Sequence, residues 1–145
     1  MIFSRGVVYT IQALVELAKH PKGLTVAELA QQTNLSRPFL AKLLQQLSRE
    51  GILASSKGAK GGFVLNKRPE EIKIGELFRL IDGKGANLFY CIEDGNCLQN
   101  RSSRCQTGRF VIHLNQQLFD LMNRYTLQSI LEEEYPIVTL PPLPF

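Results

Sequence analysis

A helix–break–helix rhythm over residues 5–51, a glycine-rich turn between two apolar triplets, and a long apolar stripe near the C-terminus predict a mainly α fold with a small β wing. The rhythm begins at Arg5. From there to His20 the apolar residues Val7, Val8, Ile11, Leu14, Val15 and Leu17 recur at the spacing of one helix face. Ser4 is placed to cap that helix, and Pro21-Lys22-Gly23 breaks it. Thr25 with Glu28 three residues on makes a capping box, so a second helix starts there. It buries Val26, Leu29 and Ala30 and ends near Asn34. Ser36 is the expected cap of a third helix, with Pro38 in the first turn, where a missing N–H costs least. Phe39, Leu40, Leu43, Leu44 and Leu47 form its inner stripe, and Gly51 suits its C-terminal stop.

The hairpin follows directly. Residues 52–56 read as a strand, Lys57 to Gly62 as a glycine-rich turn, and Phe63-Val64-Leu65 as the return strand. Two short helices joined by a few residues and followed by a hairpin define a winged helix-turn-helix. A short helix is expected over Ile74 to Ile81, and residues 83–104 read as loop. Thr107 to Tyr125 reads as a long helix. Its stripe of Val111, Leu114, Leu118, Leu121 and Tyr125 alternates three and four apart, the pattern of a helix that packs along another. A last helix is expected from Leu127 to Glu134, before an extended Pro-rich tail. The organisation expected is a winged helix-turn-helix over 1–82, a cysteine-bearing loop over 83–106, dimerisation helices over 107–134 and a tail over 135–145. There are no internal repeats.

With 145 residues, 44% hydrophobic and 21% charged, the composition is that of one soluble domain with an appended helix. No apolar run reaches membrane-span length, and the opening MIFSRGVVYT lacks the layout of a secretory signal. The expectation is a cytoplasmic protein with no membrane partner. The net charge of +4 is unevenly placed. Residues 1–68 carry ten Lys and Arg against Glu16, Glu28 and Glu50, a net of +7; residues 69–145 carry seven against ten, a net of −3. A basic first half suits a polyanion such as double-stranded DNA.

The third helix is the candidate reader. Its N-terminal turn would enter the major groove, with Arg37, Phe39 and Lys42 pointing outward and Ser36 near a phosphate. Arg reads guanine bidentately, and an aromatic ring can contact a thymine methyl. Thr25 and the start of the second helix would grip the DNA backbone, while Lys57 and Lys60 on the wing suit backbone or minor-groove contact. Two other readings stay open: a winged helix used only for protein contacts, and Phe39 as a core residue.

Three cysteines, Cys91, Cys97 and Cys105, are the chain's full complement, with five and seven residues between them. In a cytosolic chain that is no disulfide framework; clustered thiolates point to metal or redox chemistry. Soft sulfur suits iron with bridging sulfide, and three thiolates plus one further ligand can hold a 2Fe–2S or a 4Fe–4S cluster. Arg101, Arg104 and Arg109 would offset the negative charge of such a cluster. Zinc held by the three cysteines and His113 is one alternative, and a cluster-free thiol switch another. Glu93 and Asp94 lie between the cysteines and offer oxygen ligands or a solvated loop. An enzyme is not expected, and no catalytic residue is assigned. There is no Cys-x-x-Cys pair, no phosphate-binding glycine fingerprint and no Ser/His/Asp set, and Gly58, Gly61 and Gly62 open no helix.

These pieces occur together in a known order. The opening Ser4 to Tyr9 (Ser-Arg-Gly-x-x-Tyr), the stretch Leu35-Ser36-Arg37-Pro38-Phe39-Leu40-Ala41-Lys42-Leu43, the wing Lys57-Gly58-Ala59-Lys60-Gly61-Gly62-Phe63, the helix start Ile74-Gly75-Glu76-Leu77 and the three-cysteine segment resemble the Rrf-type bacterial repressors. That group includes an iron–sulfur cluster regulator and a nitric-oxide-sensing repressor. The likeness runs from residue 1 to about 134. It implies a homodimer on a partly palindromic operator, a long helix that crosses to the partner, and an iron–sulfur cluster on the cysteines that senses redox state, iron or nitric oxide. It also maps Arg37, Phe39 and Lys42 onto base-reading positions and Lys57 onto a wing position. The chain departs from the pattern in two places. Gly108 stands three residues after the third cysteine, where a histidine ligand is usual, and Val7 and Val8 occupy the first-helix segment that can lend an aspartate. The gap of seven residues between the last cysteines also exceeds the usual five. The fourth ligand expected is then a carboxylate, a partner-chain residue, or an exogenous thiol or water.

Overall fold

A computed structural model describes residues 4–55, 61–83, 105–132 and 135. In chain order the described elements are α1 (Arg5–Ala18), α2 (Val26–Thr33), α3 (Arg37–Arg49), β1 (Leu53–Ser55), β2 (Phe63–Leu65), a 3-10 turn (Pro69–Glu71), α4 (Ile74–Asp82), α5 (Gln106–Asn123) and α6 (Leu127–Glu132). The mainly helical fold with one small antiparallel hairpin is the expected class. The loop expected over residues 83–104 and the Pro-rich tail lie outside the described residues, apart from Gly83 and Tyr135.

Local chemistry explains most boundaries. The Ser4 hydroxyl accepts from Val7 N–H at 3.3 Å and donates to Asp82 Oδ1 at 2.5 Å, so the cap of α1 also ties it to the end of α4. α1 stops at Ala18, two residues short of His20, where the His20 ring nitrogen meets the Glu16 carbonyl at 2.9 Å. The Thr25 box is complete: Glu28 N–H donates to the Thr25 hydroxyl at 3.2 Å, and Thr25 N–H donates to the Glu28 carboxylate at 2.8 Å. Asn34 makes the turn between α2 and α3 in a left-handed conformation, φ 58°, which Asn tolerates better than most residues.

Ser36 requires a correction. It occupies the N-cap position of α3, but its side chain makes no capping hydrogen bond. Pro38, the second helical residue, has no N–H to offer such a cap; the N–H of Phe39 at the third position is not bonded by the Ser36 hydroxyl either. At the other end, Gly51 adopts φ 70°, donating to Ser48 O at 3.1 Å while Ile52 donates to Leu47 O at 3.0 Å. This pair of bonds closes a helix only when the intervening residue is left-handed, which is why glycine stands there.

The hairpin pairs Leu53 with Leu65, Ala54 with Val64, and Ser55 with Phe63. Phe63 also exchanges two backbone bonds with Leu24, at 3.1 and 2.8 Å, so the wing is fixed to the residue before the Thr25 cap. The core lies between α1, α2, α3 and α4. Leu14, Leu17, Leu29, Leu40, Leu44, Leu47, Leu77 and Phe78 are essentially removed from water, and Leu127 of α6 joins them. At about 1.5–3 kcal/mol for each such side chain, this face outweighs intrinsic helix propensity in helices as short as α2.

Candidate nucleic-acid interface and thiol segment

The outer face of α3 is polar and continuous. Arg37, Pro38, Lys42, Gln45 and Arg49 are exposed and Ala41 is half-buried, whereas Leu40, Leu43, Leu44 and Leu47 are buried. At about 100° per residue, the first group fills an arc of roughly 140° and the leucines fill the opposite side. Arg37 and Lys42, both named from the sequence, bound this arc. Gln45 and Arg49 share it and were not singled out. The signal for them was a step of four through Arg37, Ala41, Gln45 and Arg49, which places one residue per turn along a single helix line. Ser36 is exposed at the head of α3, and its hydroxyl is uncommitted to the cap.

Phe39 falls between the two arcs. It is half-buried and stands edge-on to Tyr9 of α1, with ring centroids 5.6 Å apart and planes at 81°. That geometry is the favourable arrangement for two ring quadrupoles. The ring therefore packs α1 against α3 while remaining partly exposed. Thr25 is also already engaged. Its hydroxyl accepts from Glu28 N–H and donates to the Glu28 carboxylate at 2.8 Å, so a phosphate at Thr25 would compete with that carboxylate. Lys57 and Lys60 fall outside the described residues, although the strands that carry the wing are in place.

Of the three cysteines, only Cys105 is described; Cys91 and Cys97 lie outside. Cys105 is half-buried with a free thiol, and it is the N-cap residue of α5. Its carbonyl accepts from Arg109 N–H at 3.0 Å, so the cysteine is continuous with the first turn of the helix. A three-thiolate donor set is of the type that suits an iron–sulfur cluster. His113 is exposed and lies eight residues further on, about 12 Å of helix rise. That separation argues against a zinc ion shared by Cys105 and His113 within one protomer, since both would have to approach within about 2.3 Å of it. Among the described residues no group of three His, Cys, Asp or Glu side chains gathers as a metal site.

α5 carries Val111, Leu114, Leu118 and Leu121 of the expected stripe and leaves them only partly covered; Tyr125, the last of the stripe, lies beyond its end. No residue of α5 is buried in the described protomer. Val111, Leu114 and Leu118 are half-buried, while Leu121 is 46% and Phe110 61% exposed. Away from both regions, the backbone N–H and guanidinium of Arg68 donate to Glu71 and hold its carboxyl below the usual carboxylate range.

Three packed helices, a hairpin fixed to the second of them, and a basic solvent-facing third helix define a winged helix-turn-helix protein. The chain belongs to the Rrf2 family, described as "Iron-dependent Transcriptional regulator", which it matches over residues 3–133. Regulators of this family bind DNA operators as dimers, and the chain is a transcriptional regulator rather than an enzyme. It is 31% identical over 135 residues to an HTH-type transcriptional regulator of Aquifex aeolicus (strain VF5), covering 92% of this chain and 94% of that one. Among solved structures, "T. potens IscR" superposes with a TM-score of 0.70 at 24% identity, covering 89% of this chain and 85% of that one. CymR, the global cysteine regulator of B. subtilis, superposes with a TM-score of 0.68 at 26% identity, covering 89% and 95%. No helix among the described residues is long and apolar enough to cross a membrane.

Proposed function

We propose that this regulator is a homodimer joined through α5, and that an iron–sulfur cluster held by Cys91, Cys97 and Cys105 controls its operator affinity. The observation that carries the reading is the place of Cys105, the residue from which α5 starts. The Val111, Leu114, Leu118 and Leu121 stripe of that helix is the apolar face a partner would cover. A bound cluster would supply reactivity toward oxygen, nitric oxide or a change of potential. The chain supplies the transmission. A change in how Cys105 is held displaces the first turn of α5, and α5 carries the partner. The two recognition helices then change their separation, and half-sites must lie about one helical turn apart for both to engage.

On the DNA side, Arg37 and Lys42 read bases, Ser36 meets a phosphate, and Lys57 and Lys60 hold the backbone or minor groove. Gln45 and Arg49 extend the same face. Thr25 contributes through the placement of α2, its own hydroxyl being committed to Glu28. Phe39 presents one ring edge from its packed position against Tyr9.

The test is anaerobic purification followed by an absorption spectrum and counts of iron and sulfide. Cys105→Ala should abolish the visible absorption and leave DNA affinity fixed in one state. A thiol switch is the second reading, favoured by the similarity to a cysteine regulator. It predicts a colourless, iron-free protein after reconstitution, with DNA affinity that responds to a thiol oxidant; that outcome would overturn the cluster reading.

A further inference from the structure

We infer that Glu28 is a specificity-determining residue of the DNA interface: its carboxylate repels phosphate from the groove it shares with Arg37, and so favours a base edge over the DNA backbone as the partner of that arginine. The inference rests on the reading of Arg37 as a base contact and is independent of the cluster.

A charge of the opposite sign stands on the basic reader side. The first 68 residues carry three acids, Glu16, Glu28 and Glu50, among their Lys and Arg. Two of them are engaged elsewhere. Glu16 pairs with Lys19 at 3.2 Å and approaches the His20 ring at 3.6 Å, at the end of α1. Glu50 follows the last residue of α3 and lines a separate hollow with Lys67 and Lys73. Glu28 is placed differently. With Ala27, Ala30, Gln31, Leu35 and Arg37 it lines an open groove of about 490 Å³ between α2 and the head of α3. It is exposed, and the other lining residues besides Arg37 are neutral, so Glu28 and Arg37 together set the field in that groove.

The carboxylate is also held in place. Its Oε2 accepts from the Thr25 N–H and from the Thr25 hydroxyl, each at 2.8 Å. The negative charge therefore stays at the N-terminus of α2, where backbone N–H groups would otherwise attract an anion. A glutamine at this third helical position would complete the capping box equally well. The box accounts for the length of the side chain and its acceptor oxygen. The charge adds to the fold only the weak attraction of an exposed carboxylate to the helix dipole.

What the charge does to binding depends on what Arg37 meets. On an unrelated sequence a protein is held almost entirely by attraction of its basic side chains to phosphates. An arginine engaged in that way brings a phosphate to the groove and within range of the Glu28 carboxylate. On its own site the same arginine bonds the neutral edge of a guanine, and the groove receives no added charge. The carboxylate therefore penalises the first mode more than the second. Two unit charges about 7 Å apart, in a surface dielectric close to that of water, change an affinity by about twofold at low salt. Two such grooves in a dimer make that about fourfold.

The experiment uses the full chain and its Glu28→Gln, Arg37→Ala and double variants. Two probes are titrated at low and at raised salt: the duplex that the wild type selects from a random pool, and a shuffled duplex of the same length and composition. Melting and sedimentation report folding and the dimer for each variant. Glu28→Gln is expected to bind the shuffled duplex about fourfold tighter at low salt and the selected duplex less than about twofold tighter, so that discrimination falls. The gain should shrink at about 0.3 M salt, where screening acts within about 6 Å. In the Arg37→Ala background the same substitution should gain less on the shuffled duplex, because the arginine that draws phosphate in is gone. Equal gains on the two duplexes, no gain on either, or a full gain in the absence of Arg37 would each overturn the inference. A capping role alone moves the melting temperature and leaves the ratio of the two affinities unchanged. If Glu28→Gln does not fold, Glu28→Ala carries the same expectations and the same refutations. Arg37→Ala by itself tests the premise: an equal loss on both duplexes removes the base contact rather than the role of Glu28.

Discussion

Phe39→Ala separates packing from DNA reading at the one position where the two compete. Phe39 is half-buried on the rim of the α3 leucine face and meets Tyr9 edge-on at 5.6 Å. Truncating a fully buried Phe costs about 3–5 kcal/mol. Half burial reduces that to about 2 kcal/mol, of which the ring pair accounts for about 0.5–1.5. With a urea dependence of about 1.5 kcal/mol per molar, the unfolding midpoint should fall by about 1.3 M. The assay is urea unfolding of wild type, Phe39→Ala, Tyr9→Ala and the double variant at one protein concentration, since a dimer's stability depends on concentration. The double variant should be more stable than the sum of the single losses predicts, by about 1 kcal/mol. A Phe39→Ala midpoint within about 0.3 M of wild type, with no coupling to Tyr9, would refute the packing role. Phe39→Leu then isolates the second role. It keeps most of the volume, so a loss of sequence choice without loss of stability would belong to the ring edge at the groove.

Arg37→Ala should weaken operator binding by about 1–3 kcal/mol and relax sequence choice, because a bidentate arginine contact discriminates between bases. A titration showing equal loss on operator and on random duplex would reassign Arg37 to the DNA backbone. Gln45→Ala, about two turns further along the same face, should change sequence choice without changing the salt slope, since a neutral side chain releases no counterion. Leu118→Glu should bury a charge in the α5 stripe and shift the sedimentation profile toward monomer; an unchanged profile would place the dimer contact elsewhere.

The elements that were legible in the sequence are those encoded within a few residues. The Thr25–Glu28 box, the Gly51 stop and the three- and four-residue recurrence of leucines in α3 each describe one helix, and each is in the structure as read. Ser36 shows where such reading stops even locally: the cap position was evident, but the side-chain hydrogen bond expected with it is not made. The cysteine cluster was equally plain as a concentration of soft ligands, because its chemistry depends on residue type rather than on packing.

Contacts between distant parts of the chain were not legible. Nothing near Phe39 announces Tyr9, thirty residues earlier, and nothing near Phe63 announces the pairing with Leu24. Gly75 reads as one small residue in a helix until Asn123 is set against it. The periodicity of a helix states which face is apolar, a matter of 100° per residue along one axis. It does not state which other face will cover it, or at what angle. Those depend on the shapes that meet when the helices dock. The amino-acid sequence by itself therefore determined a winged helix-turn-helix, a basic reader and a thiol-rich segment. The tertiary structure alone decided that α4 holds the far end of α5 and that, among the described residues, no side chain of α5 is fully buried, because side-chain fit between elements is a property of their assembly.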